Sequence, residues 1–230
     1  MPRILVPLDE SPLAEEALPW AGALSKALGL TIHLVSVWNY DGELYRRAGL
    51  EMEATPRRIA DYLEGYLARL AAREARAGLD VSTEVRIGDI DDELEDVAAE
   101  GNTALVVMTS HGRGGVKRLI QGSVADHIVR TLNIPVLVVR PGEAAPPIER
   151  VLVTVDGSDT SSLALEPARR IAAGCGAEVH LLQVVNPASE AMLPAPLGPD
   201  IGQLTEQLSD AALETVNSLK RPGEVADVRY

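Results

Sequence analysis

Cysteine and long apolar runs are the features that this sequence has least of. Its 230 residues include a single cysteine, Cys175, so no disulfide can form within the chain. Apolar runs such as 104–108 and 134–139 end after about six residues, whereas a helix that spans a bilayer needs roughly 20. No signal-peptide core precedes Asp9. We therefore expect a cytoplasmic protein that does not cross a membrane, with Cys175 as a plain buried thiol.

Several catalytic signatures are also missing. The sequence has no Walker A motif, no Rossmann glycine fingerprint, no Gly-x-Ser-x-Gly elbow and no His-Glu-x-x-His. Its few histidines have no cysteine or carboxylate pattern typical of a metal site, and His33 and His180 are predicted to lie in the sheet. We expect no resident metal ion, and no side chain can be assigned as a catalytic acid or base.

The charge of the chain is strongly unbalanced. There are 34 acidic residues against 21 Lys and Arg, which gives a formal net charge of −13 at pH 7. A body of that charge repels the phosphate backbone of nucleic acids and the surface of anionic lipids. We therefore expect neither nucleic acid nor a membrane as a partner.

The chain contains an internal repeat. The seven residues that begin at Arg3, RILVPLD, recur as RVLVTVD from Arg150. A shift of 147 residues aligns the two copies over 37 residues without a gap, which indicates a duplicated domain. The join, 141–147, contains three prolines and is typical of a short connection. We predict a first domain over 1–141 and a second, incomplete one over 148–230.

The first copy alternates short apolar runs with stretches of helical periodicity. Strands are predicted over 4–8, 31–37, 81–87, 104–108 and 135–140, and helices over 11–28, around 59–70, 91–100 and 123–132. The fourth and fifth strands are continuous apolar runs, as in strands buried on both faces. This alternation predicts an α/β fold, namely a doubly wound open parallel sheet with flavodoxin-like layers and helices on both faces.

The second copy repeats only the first part of this pattern. Strands are predicted over 151–155, 178–184 and from about Glu224, with helices over 160–173 and along the face marked by Leu204, Leu208, Ala212, Val216 and Leu219. Val228 corresponds to Val85 of the first copy, so counterparts of the fourth and fifth strands are absent. We expect this copy to serve as a scaffold.

The segment after the fourth strand has the composition of a phosphate site. Ligands of open parallel sheets bind beyond the carboxyl ends of the strands, where the winding direction reverses. There the chain carries glycines that permit close backbone approach and three cations: Gly112, Gly114, Gly115 and Gly122, with Arg113, Lys117 and Arg118. Ser123 stands as N-cap of the next helix, with Asp126 in the capping-box position. A structural turn with surface cations is an equally open interpretation.

Three segments together resemble the universal stress protein family. They are the first strand ending in Val6-Pro-Leu-Asp9, the second strand ending in Val37, and the segment from Ser110-His-Gly112 to Gly122-Ser123 that leads to Pro135-Val-Leu-Val-Val. The resemblance implies a tandem member with an adenine-nucleotide alpha-hydrolase-like fold that binds ATP, with Mg²⁺ as a possible companion. In ATP-binding members the phosphate motif is Gly-x-x-Gly-x9-Gly-Ser/Thr. Here Gly112, Gly122 and Ser123 match it, whereas Thr109 replaces the first glycine.

The same resemblance implies roles for individual residues. Asp9 and Val37 would meet the adenine and ribose, with Pro7 and Leu8 beside the base and Met108 lining it. The phosphates would lie against Gly112, Arg113, Gly122, Ser123 and Val124. The side chain of Thr109 would either crowd the nucleotide or offer it a hydroxyl, and Asp9 has the alternative of simply capping the following helix.

The expected function is therefore that of an adenine-nucleotide-binding stress-response sensor or signalling module, with at most one nucleotide site. Two alternatives stay open: a nucleotide-free interaction scaffold, which Thr109 favours, and a weak ATPase. Family analogy also implies a homodimer through the edge of the fifth strand, from Pro135 to Arg140. The long connection over 38–54 is either a lid or a variable surface loop.

Overall fold

A computed structural model of the chain forms two units, Met1–Pro146 and Pro147–Tyr230. The residues that the structure describes are 1–39, 55–110, 123–142, 147–185 and 201–229. Each unit contains its own parallel sheet. No helix within these ranges is both long enough and apolar enough to span a membrane.

The first unit alternates strands and helices along its length. Its strands are β1 (Arg3–Pro7), β2 (Thr31–Trp38), β3 (Val81–Ile87), β4 (Thr103–Thr109) and β5 (Val136–Val139). Its helices are α1 (Pro12–Glu15), α2 (Ala17–Leu28), α3 (Thr55–Arg76), α4 (Ile90–Glu100) and α5 (Ser123–Thr131). The strands run parallel in the order β3-β2-β1-β4-β5. This arrangement confirms the predicted doubly wound α/β fold.

Helices cover both faces of this first sheet. On one face, β1, β2 and β4 pack against α4 and α5 in a cluster made of Leu5, Val35, Leu94, Val97, Ala98, Val106, Met108, Ala125 and Ile128. On the other face, Ile4, Val6, Ile32 and Leu34 are fully buried, and α2 and α3 pack there. β4 is buried as predicted, but only Val139 of β5 is, because β5 is an edge strand.

The prediction of one unbroken helix over 11–28 was wrong. The chain turns at Glu16, between α1 and α2. Pro19 lies in the first turn of α2, and a proline ring clashes with the carbonyl four residues earlier, here that of Glu15. The helix predicted over 160–173 is broken for the same reason, since Pro167 lies four residues after Leu163.

The second unit has strands β6 (Arg150–Thr154), β7 (Glu178–Val184) and β8 (Val225–Arg229) in the order β6-β7-β8. Its helices are α6 (Asp159–Ser162), α7 (Leu165–Cys175) and α8 (Ile201–Leu219). Cys175 ends α7 half-buried rather than buried, and partial burial raises the pKa of its thiol.

The repeat is reproduced in backbone geometry. Gly29 and Gly176 both end a helix in the left-handed conformation, with φ of 65° and 69°. Val228 pairs with Gln183 in the second sheet as Val85 pairs with Ser36 in the first, which is the predicted correspondence. Equivalent residues of the two units can therefore be compared directly.

Candidate functional site

The candidate site lies at the carboxyl-terminal edge of the first sheet. From β1 the chain proceeds to β2 and β3 on one side, then crosses to β4 and β5 on the other. The winding therefore reverses between β1 and β4, which is where open α/β sheets bind ligands.

One face of the sheet carries four of the predicted site residues at this edge. Met108 is buried in the cluster beneath α4 and α5, and Val37 and Val124 pack against that cluster. Pro7 follows Leu5 by two residues, so it lies on the same face and, continuing the β1–β4 register, level with Met108. The structure thus brings these four residues, from four different elements, to one apolar surface.

Asp9 is held in place by the turn that follows β1. Its Oδ1 accepts hydrogen bonds from the Ser11 amide at 3.1 Å and from the Ser11 hydroxyl at 2.6 Å. The Ser11 hydroxyl in turn accepts from the Ala14 amide, so Ser11, not Asp9, is the N-cap of α1.

The second unit repeats this turn. Asp156 accepts from the Ser158 amide at 3.0 Å, and Ser158 caps α6. Hydrogen bonds, chiefly from Ser158, lower the pKa of the exposed Asp156 carboxyl to about 2. Since the turn forms in both units, the geometry of Asp9 follows from local hydrogen bonding, and its carboxylate is positioned before any ligand arrives.

Leu8 and Thr109 are buried near the turn of the first unit that contains Asp9. Leu8 is 4% exposed, and its amide donates to the Val35 carbonyl at 2.8 Å. Thr109 is 7% exposed and ends β4, where alternation places its side chain on the opposite face from Met108. The side chain of Thr109 therefore points away from the apolar surface formed by Pro7, Val37 and Met108.

The predicted capping box at the start of α5 was wrong. Ser123 is the first helical residue rather than the residue before the helix. Asp126 accepts from Arg130 Nε at 2.9 Å, a hydrogen bond that lowers the pKa of the Asp126 carboxyl. An arginine one turn later offers the carboxylate a charged donor, which is a stronger hydrogen bond than a backbone amide. Gly112, Arg113 and Gly122 lie outside the described residues.

Sequence reasoning missed an ion pair between the two helices that flank the cluster. His127 of α5 lies 2.7 Å from Glu95 of α4 through Nε2, and its Nδ1 lies 3.8 Å from Asp91. The Glu95 hydrogen bond raises the pKa of the His127 imidazole. Asp91 and Glu95 are spaced i and i+4 on α4 and therefore share one face of that helix. This acidic pair was the signal for the contact that the sequence offered. Over the described ranges, no group of three or more His, Cys, Asp or Glu side chains is arranged so that it could hold a metal ion.

Glu10 adopts a strained backbone conformation immediately after Asp9. Its φ is +65°, whereas the equivalent residue of the second unit is Gly157, with φ +85°. A left-handed conformation costs a residue with a Cβ about 1–2 kcal/mol. We expect Glu10→Gly to raise the free energy of unfolding of the first unit by up to ~1 kcal/mol, after the greater unfolded-state entropy of glycine is subtracted.

Urea unfolding followed by tryptophan fluorescence measures this change, since both tryptophans, Trp20 and Trp38, lie in the first unit. Asn102→Gly is the matched control. Asn102 has φ +52°, but asparagine tolerates that conformation, so its gain is smaller. A loss of stability in Glu10→Gly would mean that the Glu10 side chain stabilises the turn by more than its backbone strain costs.

Known proteins similar to this chain share one family description. A sequence model of the Universal stress protein family matches residues 1–140 and 147–229. Universal stress protein Rv1996 of Mycobacterium tuberculosis is 28% identical over 188 residues, 72% of this chain. The alignment spans 57% of that relative's length. Universal stress protein MJ0531 of Methanocaldococcus jannaschii is 27% identical over 142 residues, 60% of this chain and 81% of that protein.

Solved structures share the fold. A universal stress protein from Archaeoglobus fulgidus matches 99% of this chain and 77% of its own, with a TM-score of 0.69 at 20% identity. At that identity the likeness supports the architecture of the chain and nothing finer.

Proposed function

Because the chain belongs to the universal stress protein family, we propose that its first unit binds an adenine nucleotide, namely ATP, and that occupancy acts as a signal in a cytoplasmic stress response. The observation that carries the proposal is the apolar surface of Pro7, Val37 and Met108, beside the positioned carboxylate of Asp9. Both lie at the carboxyl-terminal edge of the sheet, where the winding direction reverses between β1 and β4. An apolar surface with a few fixed polar groups suits a flat base attached to a hydroxylated sugar.

The ligand would lie across the carboxyl ends of β1, β2 and β4. The base would pack on the apolar surface, and the ribose hydroxyls would donate to Asp9. The triphosphate would extend toward the amino-terminal end of α5, where Ser123 and Val124 lie and the helix dipole favours anions. The matched positions Gly112, Arg113 and Gly122 complete the phosphate contacts in this proposal, and Mg²⁺ would enter with the phosphates.

Thr109 is compatible with this arrangement. The side chain departs from the glycine of the ATP-binding motif, but it lies on the face of β4 opposite Met108. The methyl and hydroxyl groups therefore do not occupy the surface on which the base would lie.

The first test is calorimetric titration of the purified chain with ATP and Mg²⁺, after a check for nucleotide carried through purification. We expect one site per chain. Gly122→Asp should weaken binding by ~100-fold or more, because it sets a carboxylate against the phosphates. Gly65→Asp makes the same substitution on α3, where a Cβ has room, and should bind like the wild type.

The other outcomes separate the alternatives. If no heat is released and no nucleotide copurifies, the chain is a nucleotide-free scaffold and the proposal fails. Multiple turnovers of ATP that Gly122→Asp abolishes would establish a hydrolase.

We also propose that two copies of the chain associate through the β5 edge, from Pro135 to Arg140. β5 has no strand partner beyond β4 among the described residues, and Val136 to Val138 are only half-buried. Light scattering is expected to give the mass of a dimer. A monomer over the accessible concentration range would contradict this assembly.

A further inference from the structure

Three polar side chains of β2 and β3 form a hydrogen-bonded chain away from the nucleotide site. Nδ1 of His33 lies 2.8 Å from the Ser82 hydroxyl, and Nε2 lies 2.9 Å from Oε2 of Glu84. His33 stands opposite Ser82 in the register of the two strands, and Glu84 follows Ser82 by two residues, so all three side chains share one face of the sheet. We refer to Ser82, His33 and Glu84 as the Ser82 cluster.

The surroundings of the Ser82 cluster determine where its protons lie. Partial burial opposes ionisation of Glu84, but hydrogen bonds from His33 and Arg86 outweigh it and lower the pKa of the carboxyl, so Glu84 is an anion that only accepts. His33 is 5% exposed, and burial lowers the pKa of its imidazole despite the Glu84 hydrogen bond, so the ring is neutral at pH 7. Its one N–H is therefore at Nε2 and donates to Glu84, whereas Nδ1 accepts from the Ser82 hydroxyl.

The carboxylate of the Ser82 cluster is itself fixed by an arginine. Arg86 Nε donates to Oε1 of Glu84, the oxygen that His33 does not use. Nη2 of the same arginine donates to Glu100 of α4, which anchors the guanidinium to the neighbouring helix. A hydroxyl, a base within hydrogen-bond reach and a third group that orients the base are together the signature of an activated nucleophile.

The hydroxyl of the Ser82 cluster is accessible, although its base is buried. Ser82 is exposed, and β3 has no strand partner beyond β2 among the described residues. The Ile32 amide donates to the Asp80 carbonyl, so the even-numbered residues of β3 face β2 and the Thr83 amide is directed outward. The amide of the residue after the nucleophile is a common donor to the oxyanion of acyl transfer.

We infer that Ser82 is an activated nucleophile that accepts an acyl group from small carboxylic esters, with His33 as its general base. Ser82 Oγ attacks the ester carbonyl while its proton passes to Nδ1, and the bond to the alcohol oxygen then breaks as the alcohol takes that proton. Water attacks the resulting acyl ester and gives a proton to the same nitrogen. The bond from the acyl carbon to Oγ breaks, Oγ takes the proton, and a carboxylic acid leaves.

Glu84 acts in this reaction as a positioning residue. It holds His33 in the tautomer that leaves Nδ1 free, and its charge stabilises the imidazolium that forms when Nδ1 takes the proton. The reaction uses no atom of the nucleotide site, so it does not depend on the function proposed above.

The second unit keeps the histidine without the serine. His180 corresponds to His33, and Val225 stands opposite His180 where Ser82 stands opposite His33. We therefore expect one acylated serine per chain, and it lies in the first unit.

Two probes test the nucleophile in the whole chain. A fluorescent fluorophosphonate, which reacts with activated serines, is expected to label one residue per chain, and mass spectrometry of the digest should place the label at Ser82. p-Nitrophenyl acetate should be hydrolysed over many turnovers. Ser82→Ala should abolish both reactions, whereas Thr83→Ala, the matched control, removes the neighbouring exposed hydroxyl, keeps the backbone amide and should react like the wild type.

The pH dependence of labelling tests the roles of His33 and Glu84. The rate should rise with pH as His33 loses its proton, and His33→Gln should lower the rate ~100-fold at pH 7. The charges around the ring are Glu84, which raises the pKa of His33, and Arg3 and Arg86, which lower it. Glu84→Gln should therefore slow labelling and move the inflection to lower pH, whereas a purely structural Glu84 would leave the inflection unchanged.

Labelling or ester hydrolysis that persists at the wild-type rate in Ser82→Ala would overturn the inference, as would a label found on another residue. Equal rates for the wild type and His33→Gln would overturn it as well. Because Ser82 is exposed, Ser82→Ala should show the wild-type circular dichroism spectrum, and its result decides the matter even if His33→Gln does not fold.

Discussion

Leu5→Ala is expected to lower the free energy of unfolding of the first unit by about 3 kcal/mol, whereas Leu152→Ala should cost the second unit less than ~0.5 kcal/mol. The two leucines occupy the same position of the repeat. Leu5 is 1% exposed and packs in the cluster beneath α4 and α5, so its truncation leaves a cavity. Leu152 is 61% exposed, and its truncation removes only surface that water already reaches.

Each unit can be followed separately in the whole chain. Trp20 and Trp38 report urea unfolding of the first unit, and hydrogen exchange resolved by peptide reports β6 to β8. Similar losses for the two variants would show that the face of the second sheet on which Leu152 lies is covered in solution.

Breaking the Arg169–Glu224 ion pair is expected to cost the second unit about 3 kcal/mol. Arg169 Nε and Nη2 lie 2.6 and 2.9 Å from the two Glu224 oxygens, and Nη2 also donates to the Leu219 carbonyl. The two side chains are 13% and 9% exposed. Glu224→Gln leaves the arginine charge buried without its counterion, and that desolvated charge accounts for the cost. Hydrogen exchange across α7 and β8 measures it.

An exposed pair provides the control. Arg130 and Asp126 are joined at 2.9 Å, but their side chains are 73% and 45% exposed, so Asp126→Asn should leave the free energy of unfolding close to that of the wild type. An equal cost for the two substitutions would mean that burial does not determine the strength of the Arg169 pair.

The Arg169–Glu224 ion pair also predicts how the free energy of unfolding of the second unit depends on pH. Arg169, by its hydrogen bonds, lowers the pKa of the Glu224 carboxyl below its ordinary value of 4.5. The stabilisation is therefore complete above pH 4.5 and is lost as the pH falls through the lower, folded-state pKa. The difference in unfolding free energy between wild type and Glu224→Gln should shrink over that acid range. A difference that stays constant would exclude the Glu224 charge as its source.

The fold could be predicted because strand signals and the repeat agree. The strands predicted over 81–87 and 178–184 coincide with strands of the structure. The alternation of strand and helix along the chain is typical of a doubly wound sheet. The breaks at Glu16 and after Ser162 were missed because apolar periodicity continues across them. The prolines that cause them lie inside the first turn of the next helix, where a proline is otherwise tolerated.

The site could be predicted only in part. Parallel strands end at one edge, so the sequence places Pro7, Val37 and Met108 near one another, but which side chains share a face depends on register. The contact of His127 with Glu95 joins residues 32 apart in the chain through the packing of two helices, and no local pattern gives that distance. At Asp126 the local spacing was misleading. It suggested a capping box with Ser123, whereas Arg130, one turn later in the helix, donates to the Asp126 carboxylate.

Strand order also determines how each sheet assembles. β1 pairs with β4 about a hundred residues later in the chain, and the central pairing of the first sheet therefore closes a long loop at a high entropic cost. Among the described residues of the second sheet, β6 pairs with β7 and β7 with β8, so strands adjacent in sequence are adjacent in the sheet. The pairing of β1 with β4 therefore raises the contact order of the first unit and slows its expected folding, and during synthesis its sheet stays incomplete until β4 and β5 have left the ribosome.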